Sequence, residues 1–311
     1  MNLINKEFLK LLKNPKVKFT IILGSGFHRN VIGGDSILSS WNKLLKELNP
    51  STELTGQFHL DFEKIIQSKK ITCEDSHKTE ERLIECVLKL IREAQDKVLD
   101  EYTNCYPLGI FNPAKVSDVI SLNFDKVPEL LLDKKAGVQV GKFVNNSSFS
   151  LPKEANKKVS KSSCVYLSTR HKEIHFDGRG SIRYWHPHGY VDDGKSIVLG
   201  LHRYAYMVKN SLRIRNHYIR AKKNNEKDNT WYLQLINNPV IIIGAGMSPN
   251  EWDMWYTLTS RERANGETLP IFQMRECECK HDAQHEWFQP LFKGLTFDEQ
   301  WNKLEELFKH K

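Results

Sequence analysis

Little in the chain marks it for a membrane, for secretion or for a metal. No apolar run approaches the ~20 residues needed to span a bilayer. The first ten residues, Met1 to Lys10, mix acidic and basic side chains where a signal peptide has an unbroken apolar stretch. Six cysteines in 311 residues, at 73, 86, 105, 164, 277 and 279, are too few and too irregular for a disulfide framework. Reduced thiols fit a cytoplasmic protein, which is the expected location. Cys277, Cys279 and His281, with His285 beyond, are of metal-ligand type. A structural zinc site pairs cysteines about two to four residues apart on two separate knuckles. One cluster with a single intervening residue does not meet that pattern, and no metal is expected. No internal repeat or low-complexity linker divides the chain, so one domain over 1–311 is expected.

What is present suffices for a packed core: 40% of residues are hydrophobic and 10% aromatic, which excludes global disorder. The net charge is +8, and basic residues gather over 202–223, from His202 and Arg203 to Lys222 and Lys223. Such a stretch could meet nucleic acid or an acidic partner. It could equally be the solvated face of a helix, and aromatics for base stacking are not regularly interleaved.

Residues 5–13 read as a short amphipathic helix and Lys16 to Leu23 as a buried strand. A helix is expected from Ser39 or Ser40, either a suitable N-cap, through Trp41, Leu44, Leu45 and Leu48. Residues 50–110 read as a helical insertion, clearest over 80–103. Val116 to Leu122 reads as a strand, Val127 to Leu132 as a helix, and 135–163 as a polar loop. Cys164 to Ser168, Ile182 to Trp185 and Ile197 to Leu199 are short strand candidates. Residues 201–236 read as mostly helical, Val240 to Ile243 as a strand, and about 285–311 as a helical tail. Strands alternating with helices predict an α/β fold: a Rossmann-like parallel sheet with helices on both faces and an inserted helical lobe.

Four short motifs follow strand candidates, where ligands sit in such sheets. Gly24-Ser25-Gly26-Phe27-His28-Arg29 has two glycines that let backbone approach a pyrophosphate, with amides nearby to donate to it. It lacks the third glycine of the dinucleotide fingerprint, and by itself it is equally an ordinary tight turn. Ser121-Leu122-Asn123-Phe124-Asp125 offers Asn123 and Asp125, suited to a ligand or to capping the next helix. His186-Pro187-His188-Gly189 offers a proton-transfer group near neutral pH, or a structural histidine. Of the two histidines, His188 is favoured because it directly precedes Gly189. Gly244-Ala245-Gly246-Met247-Ser248 is a second glycine turn after an apolar strand.

In this order and spacing the four motifs, with Ser40-Trp41-Asn42-Lys43-Leu44-Leu45, resemble those of the SIR2-like superfamily, especially its divergent bacterial anti-phage NAD hydrolases. His28 stands where that family has Ser, and the acid expected after the His-Gly pair is absent. The resemblance covers about 17–48, 116–130, 180–206 and 239–258. It implies an enzyme that cleaves the nicotinamide–ribose bond of NAD to nicotinamide and ADP-ribose, depleting NAD in anti-phage defence. It implies Asn123 and His188 as catalytic residues, and Gly24, Ser25, Gly26, Phe27, Asn123, Asp125, Gly244, Gly246 and Ser248 as contacts to NAD, which is the substrate. The partners it implies are a homo-oligomer or a second defence protein, such as a HerA-type ATPase, an Argonaute-like protein or a nucleotide-sensing protein. Two other functions suit the same fold: a non-catalytic NAD- or ADP-ribose-sensing subunit, and an NAD-dependent protein deacylase. The deacylase usually carries a zinc lobe, which the cysteine pattern does not supply.

Overall fold

The computed structural model describes residues 4–69, 76–145, 170–209, 230–247, 251–265, 269–275 and 287–309. The expected strand at 164–168, the Cys277–His285 cluster and most of the basic segment lie outside them.

The frame is an eight-stranded sheet. In chain order its strands are β1 (Phe19–Leu23), β2 (Val116–Ser121), β3 (Val138–Asn145), β4 (Arg170–Phe176), β5 (Gly180–Trp185), β6 (Val240–Ile243), β7 (Ile271–Gln273) and β8 (Gln289–Pro290). Their spatial order is β3-β4-β5-β2-β1-β6-β7-β8. From β5 to β8 every pairing is parallel, and β3-β4-β5 is an antiparallel extension. The α/β class is therefore as expected.

The sequence of β1 explains its central place. All five of its residues are buried. Side chains of a strand alternate between faces. Phe19, Ile21 and Leu23 join one core cluster, and Ile22 joins the other. In β6, Ile241 and Ile243 face the first cluster, while Val240 and Ile242 face the second. A continuous run of Ile and Val suits a strand covered on both sides.

The first face is covered by α1 (Lys6–Lys13), α3 (Trp41–Leu48), α4 (Phe58–Lys69), α5 (Ser76–Glu101) and α6 (Val127–Asp133), with α2 (Gly26–Ile32) following β1. The C-terminal α10 (Phe297–Lys309) packs there too, through Trp301, Leu304 and Phe308. The second face carries α8 (Trp231–Asn237) and α9 (Trp252–Asn265). A further helix, α7, occupies residues 201–209.

Local chemistry sets several helix starts. The Asn5 side chain accepts from the Glu7 and Phe8 amides at α1. Ser40 caps α3, accepting from the Lys43 amide at 3.4 Å. Both satisfy amides that a helix leaves unpaired.

Four expectations are corrected. Helices α4 and α5 share one apolar cluster with β1 and β2, through Phe62, Ile65, Leu83, Val87 and Ile91, so they are part of the main core and not a lobe of their own. Residues 138–145 are strand, paired antiparallel to β4, because Val138 and Val140 pack against the core on either side of exposed Gln139. Ile197 to Leu199 is not a strand: it follows a 3-10 turn at Gly194–Ser196, and the Val198 amide bonds to the His188 carbonyl at 2.7 Å. The C-terminal segment is not all helical, since β8 adds to the sheet edge before α10.

One buried polar contact pins β2 to β5. Asp118, fully buried, accepts from Arg183 Nη2 at 2.7 Å and from Trp185 Nε1 at 2.9 Å. Asp118→Ala leaves a buried indole donor unpaired and should destabilise the protein by about 1–3 kcal/mol in denaturant unfolding. An unchanged unfolding midpoint would show that this contact is not structural.

Candidate functional site

Strand β1 has β2 on one side and β6 on the other. The chain leaves β1 and returns in opposite directions there, which opens a crevice at the carboxyl ends of the strands. The crevice is a cleft of about 860 Å³, open solvent at its mouth included. Its size suits a small ligand, for which pockets of roughly 300–1,000 Å³ are usual. The loops after β1, β2, β5 and β6 all reach it, bringing together Gly24, Ser25, Asn123, His188, Gly244 and Gly246.

Other expected contacts lie elsewhere. Phe27 is fully buried in an aromatic cluster with Tyr106, Phe111 and Trp301. Asp125 is buried beneath the cleft, where it accepts from His28 Nε2 at 3.0 Å and from the Val127 amide at 2.9 Å. Burial opposes its charge, but His28 and the Val127 amide hold its carboxyl below the ordinary value. Asp125 is thus the cap and anchor of α6. Ser248 lies outside the described residues.

The glycine turns have a different role from the one their pattern suggests. The Gly26 amide donates to the Gly244 carbonyl at 2.8 Å, the Gly24 amide to Ile243 at 2.9 Å, and the Phe27 amide to Gly24 at 3.0 Å. These amides are engaged within the protein, so they do not form an open phosphate cradle. A Cβ on Gly24 would sit 2.6 Å from the Ala245 Cα, and one on Gly26 would sit 2.8 Å from the Gly244 Cα. Gly244 itself has φ +66°, with room for no side chain against Phe27. The glycines let two loops pack backbone against backbone. Of the four glycines in these two turns, Gly246 alone has open space where a Cβ would stand.

Asn123 is 5% exposed and held in place from both ends. Its Nδ2 donates to the Gly24 carbonyl at 3.1 Å, and its amide donates to Ser121 Oγ at 3.3 Å. Among the described residues no donor reaches its Oδ1, which leaves an acceptor for a ligand in the cleft.

His188 lines the cleft with one ring nitrogen turned away from it. Nε2 lies 2.9 Å from Asp253 Oδ2. Asp253 is fully buried at the start of α9, and its other oxygen accepts from the Tyr204 hydroxyl of α7. The Asp253 amide in turn donates to Tyr204 Oη at 3.1 Å. Burial disfavours a charge on His188, yet the carboxylates of Asp253 and Glu251 outweigh it and raise the imidazole above its ordinary value. Burial likewise opposes ionisation of Asp253, but His188 and Tyr204 hold it low. The aspartate is therefore ionised, and Nε2 carries the proton it accepts. The Leu122 backbone carbonyl accepts from the protonated ring as well, and it favours the proton further. Since the folded value is raised, the pair's stabilisation is fully present below about pH 6.5 and is lost as pH rises through the folded value.

A second histidine meets the same unit. His59, on the first turn of α4, is tilted against Tyr204 with ring centroids 3.7 Å apart. Burial, reinforced by the neighbouring His188, pushes it down to about 3, so it is neutral. His186 has another task. It is fully buried, with Nδ1 3.3 Å from the Asn123 carbonyl and Nε2 3.2 Å from Glu129 Oε2. Glu129 also accepts from Lys172 at 3.0 Å.

Aromatic rings form one wall. Trp41, at the start of α3, stacks on Phe58 with centroids 5.5 Å apart and planes 12° apart, and meets Phe124 edge-on at 4.8 Å. Ser40, Trp41 and Asn42 line the cleft, so the amino end of α3 faces it. A helix amino end favours negative charge.

Asp253, Tyr204's role, His59 and Glu251 were not found from sequence. Asp253 reaches His188 across 65 residues and Tyr204 across 49, and no short pattern carries such contacts. The basic residue Arg203 is tied into the protein, with Nε 2.5 Å from Glu80 Oε1 and Nη1 3.0 Å from the Ile197 carbonyl. Among the described residues no group of three or more metal-ligand side chains comes together, and no helix is long and apolar enough to cross a membrane. The chain matches no protein-family model and no curated protein.

Gly246→Val should fill the cleft and weaken ligand binding at an unchanged melting temperature. Gly26→Val should instead lower the melting temperature by driving apart the two loops. Equal melting of both variants would show that the loops are not packed on their glycines. His186→Ala should cost about 1–3 kcal/mol of stability by leaving Glu129 short of a partner.

Proposed function

We propose that the cleft binds NAD and hydrolyses the bond between nicotinamide and ribose, releasing nicotinamide and ADP-ribose. One observation carries the reading: Asn123 and the Asp253-held His188 face one cleft at the switch point of a parallel sheet. The bond to the pyridinium nitrogen breaks with both electrons going to that nitrogen, which neutralises it. Nicotinamide is thus a leaving group that needs no proton. The ribose passes through an oxocarbenium-like state, as in other glycoside cleavages. Water then bonds to C1′ through oxygen and gives up one proton.

The chain's own groups are suited to this. Asn123 Oδ1 accepts from the attacking water or a ribose hydroxyl and orients it. Neutral His188 takes the proton, while Asp253 fixes the ring and stabilises the imidazolium that forms. The Trp41–Phe58 wall offers a face for the flat nicotinamide. The amino end of α3 favours the pyrophosphate. On this reading the protein acts in the cytoplasm as an anti-phage effector that depletes NAD. It is switched on by self-assembly or by a second defence protein.

Asn123→Ala and His188→Ala should each lower nicotinamide release on the order of 10²-fold or more. His188→Ala also strips buried Asp253 of a partner and should lower the melting temperature, so turnover is compared where each variant is folded. A variant that keeps near wild-type turnover removes its residue from the mechanism. Retained NAD binding without turnover in the wild type, alone and with candidate partners, would point to a sensing subunit.

The raised imidazole sets a pH dependence. Activity needs neutral His188, so kcat/KM should rise with pH through a midpoint above about 6.5. Asp253→Asn removes the carboxylate that favours the proton, and the midpoint should move down while the plateau falls. A midpoint that does not move would exclude His188 as the base.

A further inference from the structure

Among the described residues lining the cleft, His188 and Glu251 carry ionisable side chains, and none is Lys or Arg. Glu251 immediately precedes α9 and is two residues before Asp253. One of its carboxylate oxygens is fully buried. It lines the same cleft as His188, whose proton its charge favours. The groups around that imidazole are Asp253 and Glu251 from the start of α9, and His59 from α4.

A carboxylate with no Lys or Arg among the described residues lining its cleft repels an anion. It therefore cannot serve the pyrophosphate, which the amino end of α3 suits. It sits instead beside the groups that act on the ribose. Asp253 already orients His188, so a second carboxylate is not needed for that task. Positive charge developing on the ribose is the one event in the proposed reaction that a fixed, partly desolvated carboxylate favours selectively.

We propose that Glu251 is a further catalytic residue, one that stabilises the cationic ribose as the bond to nicotinamide breaks. This rests on the hydrolase reading of the same cleft and deepens it. The carboxylate forms no bond and keeps its charge throughout. The substrate class follows: N-ribosides whose base leaves from a cationic ring nitrogen.

Glu251→Gln keeps the shape and removes the charge. The experiment compares nicotinamide release by the wild type, Glu251→Gln and Glu251→Asp, each checked by thermal melting. Each protein is also titrated with a cationic iminoribitol and with neutral ribose. On the high-pH plateau Glu251→Gln should lose on the order of 10²-fold in kcat, with KM for NAD within about threefold. It should also lose the preference for the iminoribitol. Glu251→Asp should recover most of both, and it carries the test if Glu251→Gln fails to fold.

A plateau kcat within about threefold of wild type, with only the pH midpoint moved, would overturn the proposal and make Glu251 a positioning residue for His188. A loss confined to KM would overturn it in favour of uniform substrate binding. A wild type that binds NAD but releases no nicotinamide would overturn the hydrolase reading. The iminoribitol preference and its dependence on Glu251 would then decide the electrostatic role alone.

Discussion

The Gly26 amide and the Gly244 carbonyl, 2.8 Å apart, join the loop after β1 to the loop after β6. Neither loop has room for a side chain at that contact. The floor of the cleft is therefore backbone, and its chemistry arrives from other elements. Asn123 comes from the end of β2, His188 from beyond β5, Trp41 from α3, and Asp253 from α9. The central position of β1, buried on both faces, makes this convergence possible. Four adjacent parallel strands deliver their carboxyl ends to one place.

Few of the described residues lining the cleft carry charge, and those few set its electrostatics. Asp253 is buried between an imidazole that it bonds and a phenol that donates to it. A buried carboxylate without such partners would be costly. Two histidines lie near it, and both cannot be charged in so dry a space. His188, with the direct bond, gains the proton, while His59 is driven down to about 3. The fold thus separates two identical side chains into a titrating group and a neutral one. Burial acts on both, and contact with the carboxylate decides between them.

The parts of this arrangement that sequence made legible are local. Phe19–Leu23 and Val240–Ile243 are unbroken apolar runs ending in glycine, and both are central strands. Asn123 and His188 were found by their places after strands, and both line the cleft. The edge strands were harder to read. β4 buries His171 and Lys172 along with Ile174 and Phe176, so two of its buried positions are polar and its pattern reads as polar chain. The glycine turns were found, but whether their amides were open to a ligand was not legible. That depends on how the two loops meet, which neither segment encodes alone. The acid beside His188 was absent from the expected stretch because α9 supplies it from 65 residues away.

His186 and His188 show the same limit at close range. In a strand, residues two apart face the same side. Strand β5 ends at Trp185, however, and the Gly189 amide turns back to the His186 carbonyl at 3.2 Å. Gly189 has φ +117°, and a Cβ there would lie 2.6 Å from the Ile197 Cα, so the turn requires glycine. The turn sends the two rings to different surroundings. His186 goes under the sheet end, against Glu129 and the Asn123 carbonyl. His188 goes to the cleft. The pair then works on one object from two sides: His186 holds the backbone of Asn123, and His188 stands across from its side chain. A glycine whose motif points to ligand approach is in this chain the turn that divides the two histidines between support and the cleft.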